Sequence, residues 1–158
     1  MCIRDRNNEE IIWKPHVTVA AVAEDQGRFL LVEEHIDGRA VLNQPAGHLE
    51  EGENLLAAVV RETLEETAWE FRPEALVGLY RWRHPDKGST YLRFTFSGSC
   101  TSHDPGRPLD TDIERALWLT PGEIRGREPD LRSPMVLRSI EDYLAGQTCP
   151  LSLLNDVD

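Results

Sequence analysis

The chain has 158 residues, 40% of them hydrophobic and 28% charged, enough for one domain with its own core. A formal net charge of −11 repels phosphate, so unassisted binding to nucleic acid or to an anionic membrane is excluded, and a phosphate ligand needs a metal bridge or a local basic patch. Three cysteines without metal-ligand spacing, no apolar run of the roughly 18 residues that span a bilayer, and no signal-like opening predict a cytoplasmic protein.

Residues 1–12 are set apart as an N-terminal extension. Its opening, MCIRDR, back-translates to a codon run found at transposon ends in sequencing libraries, so two readings stand, an artefact in part or a genuine disordered N-terminus, and the segment is left out of fold reasoning. HVTVAAVAED and RFLLVEE are β-branched or apolar runs joined through DQGR, the pattern of a hairpin. AVLNQPAGHLEEGE begins apolar and turns into loop at Pro45, Gly47 and Gly52. Asn54 then suits an N-cap, and the spacing predicts a helix from about Leu55 to Thr67. Leu56, Val60 and Thr63, flanked by Leu55, Val59 and Leu64, form its expected core-facing stripe. ALVGLYRWR and TYLRFTFSGSC read as strands around the polar loop HPDKGST, RALWLT as another strand, and PMVLRSIEDYLAG as a helix stopped near Gly146. This order predicts an α+β fold, an α/β/α sandwich around a mixed central sheet, with the domain spanning 13–150 and a C-terminal tail at 151–158.

The stretch from Gly47 to Phe71 carries seven glutamates and one basic residue, Arg61. Carboxylates three and four apart on a helix repel by about 0.2–0.5 kcal/mol per pair, so a positive charge is missing from the sequence. Glu62, Glu65 and Glu66 stand at i, i+3 and i+4 and converge on one face, away from the apolar stripe and open to solvent. Three hard oxygen donors of this kind suit Mg²⁺ or Mn²⁺, which keep several waters and bridge to substrate phosphates. Arg61 can hold a carboxylate bidentately, and Glu53 is its candidate partner from the loop. Glutamate-rich helix faces are otherwise solvated surface. What favours a metal site is the larger pattern: Gly47, five residues, Glu53, seven residues, Arg61-Glu62, two residues, Glu65-Glu66, with Glu50 and Glu51 outside it.

That pattern resembles the signature of the Nudix hydrolases, G-x5-E-x7-R-E-U-x-E-E-x-G-U with U apolar. Thr63 stands where an aliphatic residue is usual, and Ala68 where the family has glycine; a positive φ there would cost Ala roughly 1 kcal/mol. The resemblance implies the sandwich fold and cleavage of a diphosphate linked to another moiety. It also implies a metal held by Glu62, Glu65, Glu66 and a backbone carbonyl of Gly47, and a water nucleophile served by Glu62 or Glu65, with Arg61 and Glu53 in support. WKPHVTVA, NQPAGHLE, HPDK, YLRFTF, DTDI, LRSP and YLAGQTCPL are similar to a NudJ-type phosphatase subgroup. That similarity implies Mg²⁺-dependent release of phosphate from nucleoside tri- and diphosphates and from the thiamin precursor hydroxymethylpyrimidine pyrophosphate. Two other readings stay open: a pyrophosphohydrolase for ADP-ribose, a dinucleotide or an oxidised nucleotide, and a non-catalytic nucleotide sensor.

Outside the signature, Asp112 lies where many Nudix enzymes carry a further acidic ligand or base, and an Asx turn in LDTDI explains it equally well. Arg81, Lys87 and Arg93, with Arg83 and His84, concentrate cations beside Trp82 and Tyr91, a phosphate and base-stacking patch; Trp82 also fits a half-buried core position. Arg132, before Ser133 and Pro134, could face phosphate at a helix start or simply precede a capped helix. His16 and His48 have no assigned role. The expected partner is a phosphorylated small molecule, with no membrane or nucleic acid, and a monomer is favoured.

Overall fold

The computed structural model describes residues 3–4 and 10–158, so the reading of MCIRDR and Cys2 falls largely outside the described residues. Ile3–Arg4 (β1) pairs antiparallel with Glu10–Ile11 (β2), apart from the main sheet. That sheet runs in the order β10-β7-β8-β3-β4-β5, where β3 is His16–Asp25, β4 Arg28–Ile36, β5 Arg39–Asn43, β7 Trp69–Arg83, β8 Thr90–His103 and β10 Cys149–Pro150. Ala46–His48 (β6) pairs with β3, and Ile113–Leu119 (β9) with β4. The helices are α1 (Leu55–Thr67), α2 (Pro121–Gly126) and α3 (Pro134–Leu144).

Alternation along the strands divides the interior in two. Val19, Ala21 and Ala23 of β3 and Leu30 of β4 join Ala58 and Val59 of α1 in one core. Val22, Phe29 and Leu31 point the other way, to Ile124 of α2 and to Val136 and Ile140 of α3. One sheet with a helical layer on each face is the expected α/β/α sandwich. No described helix is long and apolar enough to cross a membrane.

The site is positioned by what β3 does along its length. It pairs with β4 only at the hairpin base, Glu24 opposite Phe29 and Asp25 opposite Arg28, where Gln26 and Gly27 both take positive φ. Its first half pairs antiparallel with β6, placing Val19 opposite Gly47, and parallel with β8, placing Thr18 opposite Arg93. The signature glycine and a buried arginine are thereby brought to opposite sides of one strand.

Several expectations are modified. The core-facing stripe of α1 is Ala58, Val59 and Thr63, with Glu66 and Thr67 also buried, while Leu56 and Val60 are only half-buried; the helix is turned so that its Glu66 side meets β6. Thr63 resolves its departure from an aliphatic residue by donating its hydroxyl to the Val59 carbonyl at 2.8 Å. Ala68 is the C-cap in the left-handed region at φ 61°, its N–H bonded to the Leu64 carbonyl at 2.9 Å. It is 2% exposed. The left-handed cost of about 1–2 kcal/mol for a non-glycine residue is therefore largely offset by a buried methyl, worth about 0.8 kcal/mol, and by a stiffer unfolded chain. The short helix α2 was not anticipated, although Thr120-Pro-Gly-Glu123 forms a full capping box. In the expected tail, Leu151 and Leu154 pack on the α1-side core.

Candidate metal and active site

Asn54 caps α1, its Oδ1 accepting the Ala57 N–H at 2.8 Å, and this fixes where the first turn begins. Two turns on, Arg61 organises the acidic face. Its Nε and Nη2 donate to the two oxygens of Glu53 at 3.0 and 2.7 Å, the bidentate pair expected from sequence. Nη2 also donates to the His48 carbonyl at 3.1 Å, tying the helix to β6. Nη1 reaches Glu62 at 2.9 Å and Glu65 at 3.2 Å. Arg61 holds the Glu53 carboxyl below the usual carboxylate range, and Glu53 in turn accepts the Glu50 N–H at 2.9 Å, closing the loop before the helix. Glu50, outside the signature, also lies 3.5 Å from Arg61, so Glu51 is the better-isolated acidic residue of the leader.

Carboxylate oxygens of Glu62, Glu65 and Asp110 lie within 4.8 Å of one another. Asp110 was missed from sequence. It arrives on the loop before β9, whose backbone is pinned to the helix by the Asp110 N–H donating to the Glu65 carbonyl at 3.0 Å. Burial pushes the Glu62 carboxyl upward against the opposing pull of Arg61, and the charges of Glu65 and Asp110 add to the rise. The Glu62 carboxylate also presses on Gly47: a Cβ there would overlap its Cδ and both oxygens. Three hard oxygens, one of them on an exposed residue, fit a divalent cation that retains waters.

Glu66 is not on this open face. It is 7% exposed, accepts the Ala46 N–H at 2.7 Å, and is pushed up to about 9, chiefly by burial. At i+4 from Glu62 the helical drift carries it under β6, so the expectation of three solvent-facing glutamates is corrected: Glu65 is partly open, Glu62 is largely covered, and exposed Asp110 completes the cluster. Asp112 lines a shallow exposed recess with His35, Thr111, Ile113 and Glu114, outside the carboxylate cluster, although its charge reaches Glu34.

Gly47 is shared with a pocket of about 200 Å³ lined also by Thr18, Glu34, Asn43, Ala46, His48, Trp82, His84, Lys87, Tyr91, Arg93, Arg132, Ser133 and Met135. Four of the five substrate candidates, Trp82, Lys87, Arg93 and Arg132, line it; Arg81 does not, because strand alternation sends it to the face opposite Trp82. Trp82 is half-buried and forms part of an aromatic row. Its ring centroid lies 5.2 Å from that of His84 and 5.9 Å from that of Tyr91, and Tyr91 stacks on His16 at 5.0 Å. His16 Nδ1 stands 3.1 Å from His48 Nε2, and burial together with the His16 charge holds His48 below its ordinary pKa. The two unassigned histidines thus extend the row toward Gly47. Arg132 pairs with Glu34 at 3.1 Å, and Ser133 caps α3 by accepting the Met135 N–H, so this segment both starts the helix and lines the pocket.

Residues 13–138 match the NUDIX domain family. The chain is 43% identical over 145 residues to Phosphatase NudJ of Escherichia coli (strain K12), covering 92% of this chain and 94% of that one, and the same figures hold for Phosphatase NudJ of Shigella sonnei. Among solved structures, a NUDIX hydrolase from Nitrosomonas europaea aligns with a TM-score of 0.89 and 52% identity, covering 91% of this chain and 98% of that one. UDP-X diphosphatase, 18% identical, shares the fold at a TM-score of 0.71, covering 86% and 66%.

Proposed function

The chain belongs to the Nudix hydrolase family, and from that premise we propose that it is a Mg²⁺-dependent phosphatase. Its substrates would be nucleoside tri- and diphosphates and hydroxymethylpyrimidine pyrophosphate, and its product orthophosphate. The observation that carries this reading is the contiguity of two unlike surfaces. The Glu62 carboxylate, clustered with those of Glu65 and Asp110, lies against Gly47, and Gly47 also lines a pocket walled by cations and aromatic rings.

Glu62, Glu65 and Asp110, with the carbonyl of Gly47, would hold the ion, and Arg61 keeps the first two carboxylates in place. A bound divalent ion supplies charge neutralisation and polarises the phosphorus under attack. Glu62 or Glu65 then accepts a proton from water as the water oxygen bonds to phosphorus. The bridging P–O bond breaks and its electron pair leaves with the departing phosphate or phosphorylated alcohol. Lys87, Arg93 and Arg132 offset the polyphosphate charge that the acidic chain would otherwise repel, and Trp82 with Tyr91 offers an aromatic wall to a heterocycle.

The test is a substrate panel with Mg²⁺ in which orthophosphate, pyrophosphate and nucleoside monophosphate are assayed separately. Orthophosphate from the pyrimidine pyrophosphate and from nucleoside di- and triphosphates is the expected result. Monophosphate release from ADP-ribose or a dinucleotide would replace this reading with the pyrophosphohydrolase, and nucleotide binding without turnover would replace it with the sensor.

A further inference from the structure

The pocket contains a buried cation held by neutral groups. Arg93 is 4% exposed and makes no ion pair among the described residues. Its Nη2 donates to Asn43 Oδ1 at 3.1 Å and to Gln44 Oε1 at 2.8 Å, and its Nε is buried without a hydrogen-bond partner. Gln44, itself 1% exposed, is locked from behind: its Nε2 donates to the Val136 carbonyl at 2.8 Å and to Ser139 Oγ at 3.1 Å. Ser139 Oγ donates in turn to the Val136 carbonyl. A buried guanidinium normally meets a carboxylate, because taking a lone charge out of water is costly. Here α3 orients the amide of Gln44 so that an oxygen, not a charge, faces the arginine. Burial lowers the Arg93 pKa only to about 10, so the group is charged at neutral pH. Glu66 and Glu34 lie close enough to act on it through space but accept no hydrogen bond from it.

We propose that Asn43 and Gln44 are positioning residues that hold Arg93 as an un-neutralised cation, and that Arg93 grips a substrate phosphate through the pocket it lines. The amide cradle orients the fork without consuming its charge, leaving the fourth member of the interaction to be an anion from solution. A carboxylate at either cradle position would form an internal ion pair and compete with the ligand. This assignment rests on the pocket being the substrate site proposed above and adds which residue reads the phosphate and why its neighbours are amides.

Asn43→Asp is the informative variant, since it keeps the accepting oxygen and breaks no donated bond that the structure records for Asn43. Gln44→Glu would set a carboxylate against the Val136 carbonyl and could unfold the protein for that reason alone. The first readout is inorganic phosphate binding in EDTA, followed by ³¹P line broadening, which requires neither metal nor turnover. The wild type should bind saturably, and N43D should bind at least about tenfold more weakly, with KM raised by a similar factor and kcat within about threefold. Arg93→Gln should lose as much. In the N43D/R93Q double variant the second change should cost no more than about twofold, because its target is gone. Equal cost of N43D with and without Arg93 would reveal general repulsion and overturn the proposal, as would undiminished phosphate binding by N43D or by R93Q, or no binding by the wild type. Phosphate binding that follows these expectations in a protein that hydrolyses nothing would refute the proposed activity and leave the cradle standing.

Discussion

Gly47→Ala tests the geometry of the acidic face with a single methyl. The added Cβ would fall inside contact distance of the Glu62 carboxylate carbon and both its oxygens. The φ of Gly47 is not positive, so alanine imposes no backbone strain, and the clash is relieved by withdrawing the Glu62 side chain. Withdrawal breaks the 2.9 Å bond from Arg61 and takes one oxygen out of the cluster that spans 4.8 Å. A charge-assisted bond of that kind contributes about 1.5–3 kcal/mol, and a displaced metal ligand adds to it. The expected loss in kcat/KM is therefore about 10²- to 10³-fold, or about 3–4 kcal/mol of transition-state stabilisation. Thermal stability should fall by no more than about 1.5–3 kcal/mol, the worth of that one bond, since the strain is otherwise carried by one rotatable side chain. The assay pairs kcat/KM in Mg²⁺ with a thermal melt and with Mn²⁺ binding followed by electron paramagnetic resonance. Shortening the displaced side chain in a G47A/E62D double variant should recover at least about fivefold of the lost rate by restoring room. A G47A protein that melts normally, binds Mn²⁺ as before and retains activity within about threefold would show that Glu62 does not act from beneath Gly47.

Asp110→Asn should lower kcat/KM at least about tenfold by removing a cluster oxygen, whereas Asp112→Asn and Glu51→Gln should stay within about threefold; the same steady-state assay ranks all three. Turnover should vanish in EDTA, and Mg²⁺ at about 100 times its dissociation constant should stabilise the wild type by about 2.7 kcal/mol in thermal melts, with the shift reduced in Glu62→Gln. In EDTA, Glu66 has a folded pKa of about 9 against 4.5 for an ordinary glutamate, so the folded state holds the extra proton and stability falls as pH rises through that window. Glu66→Gln should flatten that decline in melts run between about pH 5 and pH 9, and an unchanged slope would refute the burial argument. Ala68→Gly should move stability by less than about 1 kcal/mol, because relief of left-handed strain is offset by the lost methyl and the freer unfolded chain, and a gain above about 2 kcal/mol would show that the methyl contributes nothing.

What was legible in the sequence is what depends on neighbours along the chain. Asn54 as N-cap, α1 from Leu55 to Thr67, the Gln26-Gly27 turn and the Arg61–Glu53 pair all follow from spacing within one or two turns of a helix or one hairpin. Spacing could not say how α1 is rolled on the sheet, and that roll separates Glu62 and Glu65 in the carboxylate cluster from Glu66 under β6. Asp110 shares a polar loop with Asp104 and Asp112, and what distinguishes it is a carboxylate brought to Glu62 and Glu65 by a backbone bond to the Glu65 carbonyl, a contact that crosses 45 positions of sequence. The TPGE run of α2 did carry a signal, a capping box with proline inside it, in a segment of only six helical residues.

The pocket shows most clearly why residue type alone is a weak guide. Arg81 and Arg93 are equivalent by composition, both on strands and both beside aromatic residues, yet pleat parity places Arg81 outside and Arg93 within. Parallel pairing with β3 then sets Arg93 opposite Thr18, while β5 ends at Asn43 and hands Gln44 to α3. In a chain of charge −11 a pocket cation attracts a polyphosphate most strongly where it is both buried and left un-neutralised, because an exposed one is more screened and a paired one is partly offset by its partner. Lys87 is exposed and Arg132 is paired with Glu34, which leaves Arg93 as the pocket cation that meets both conditions.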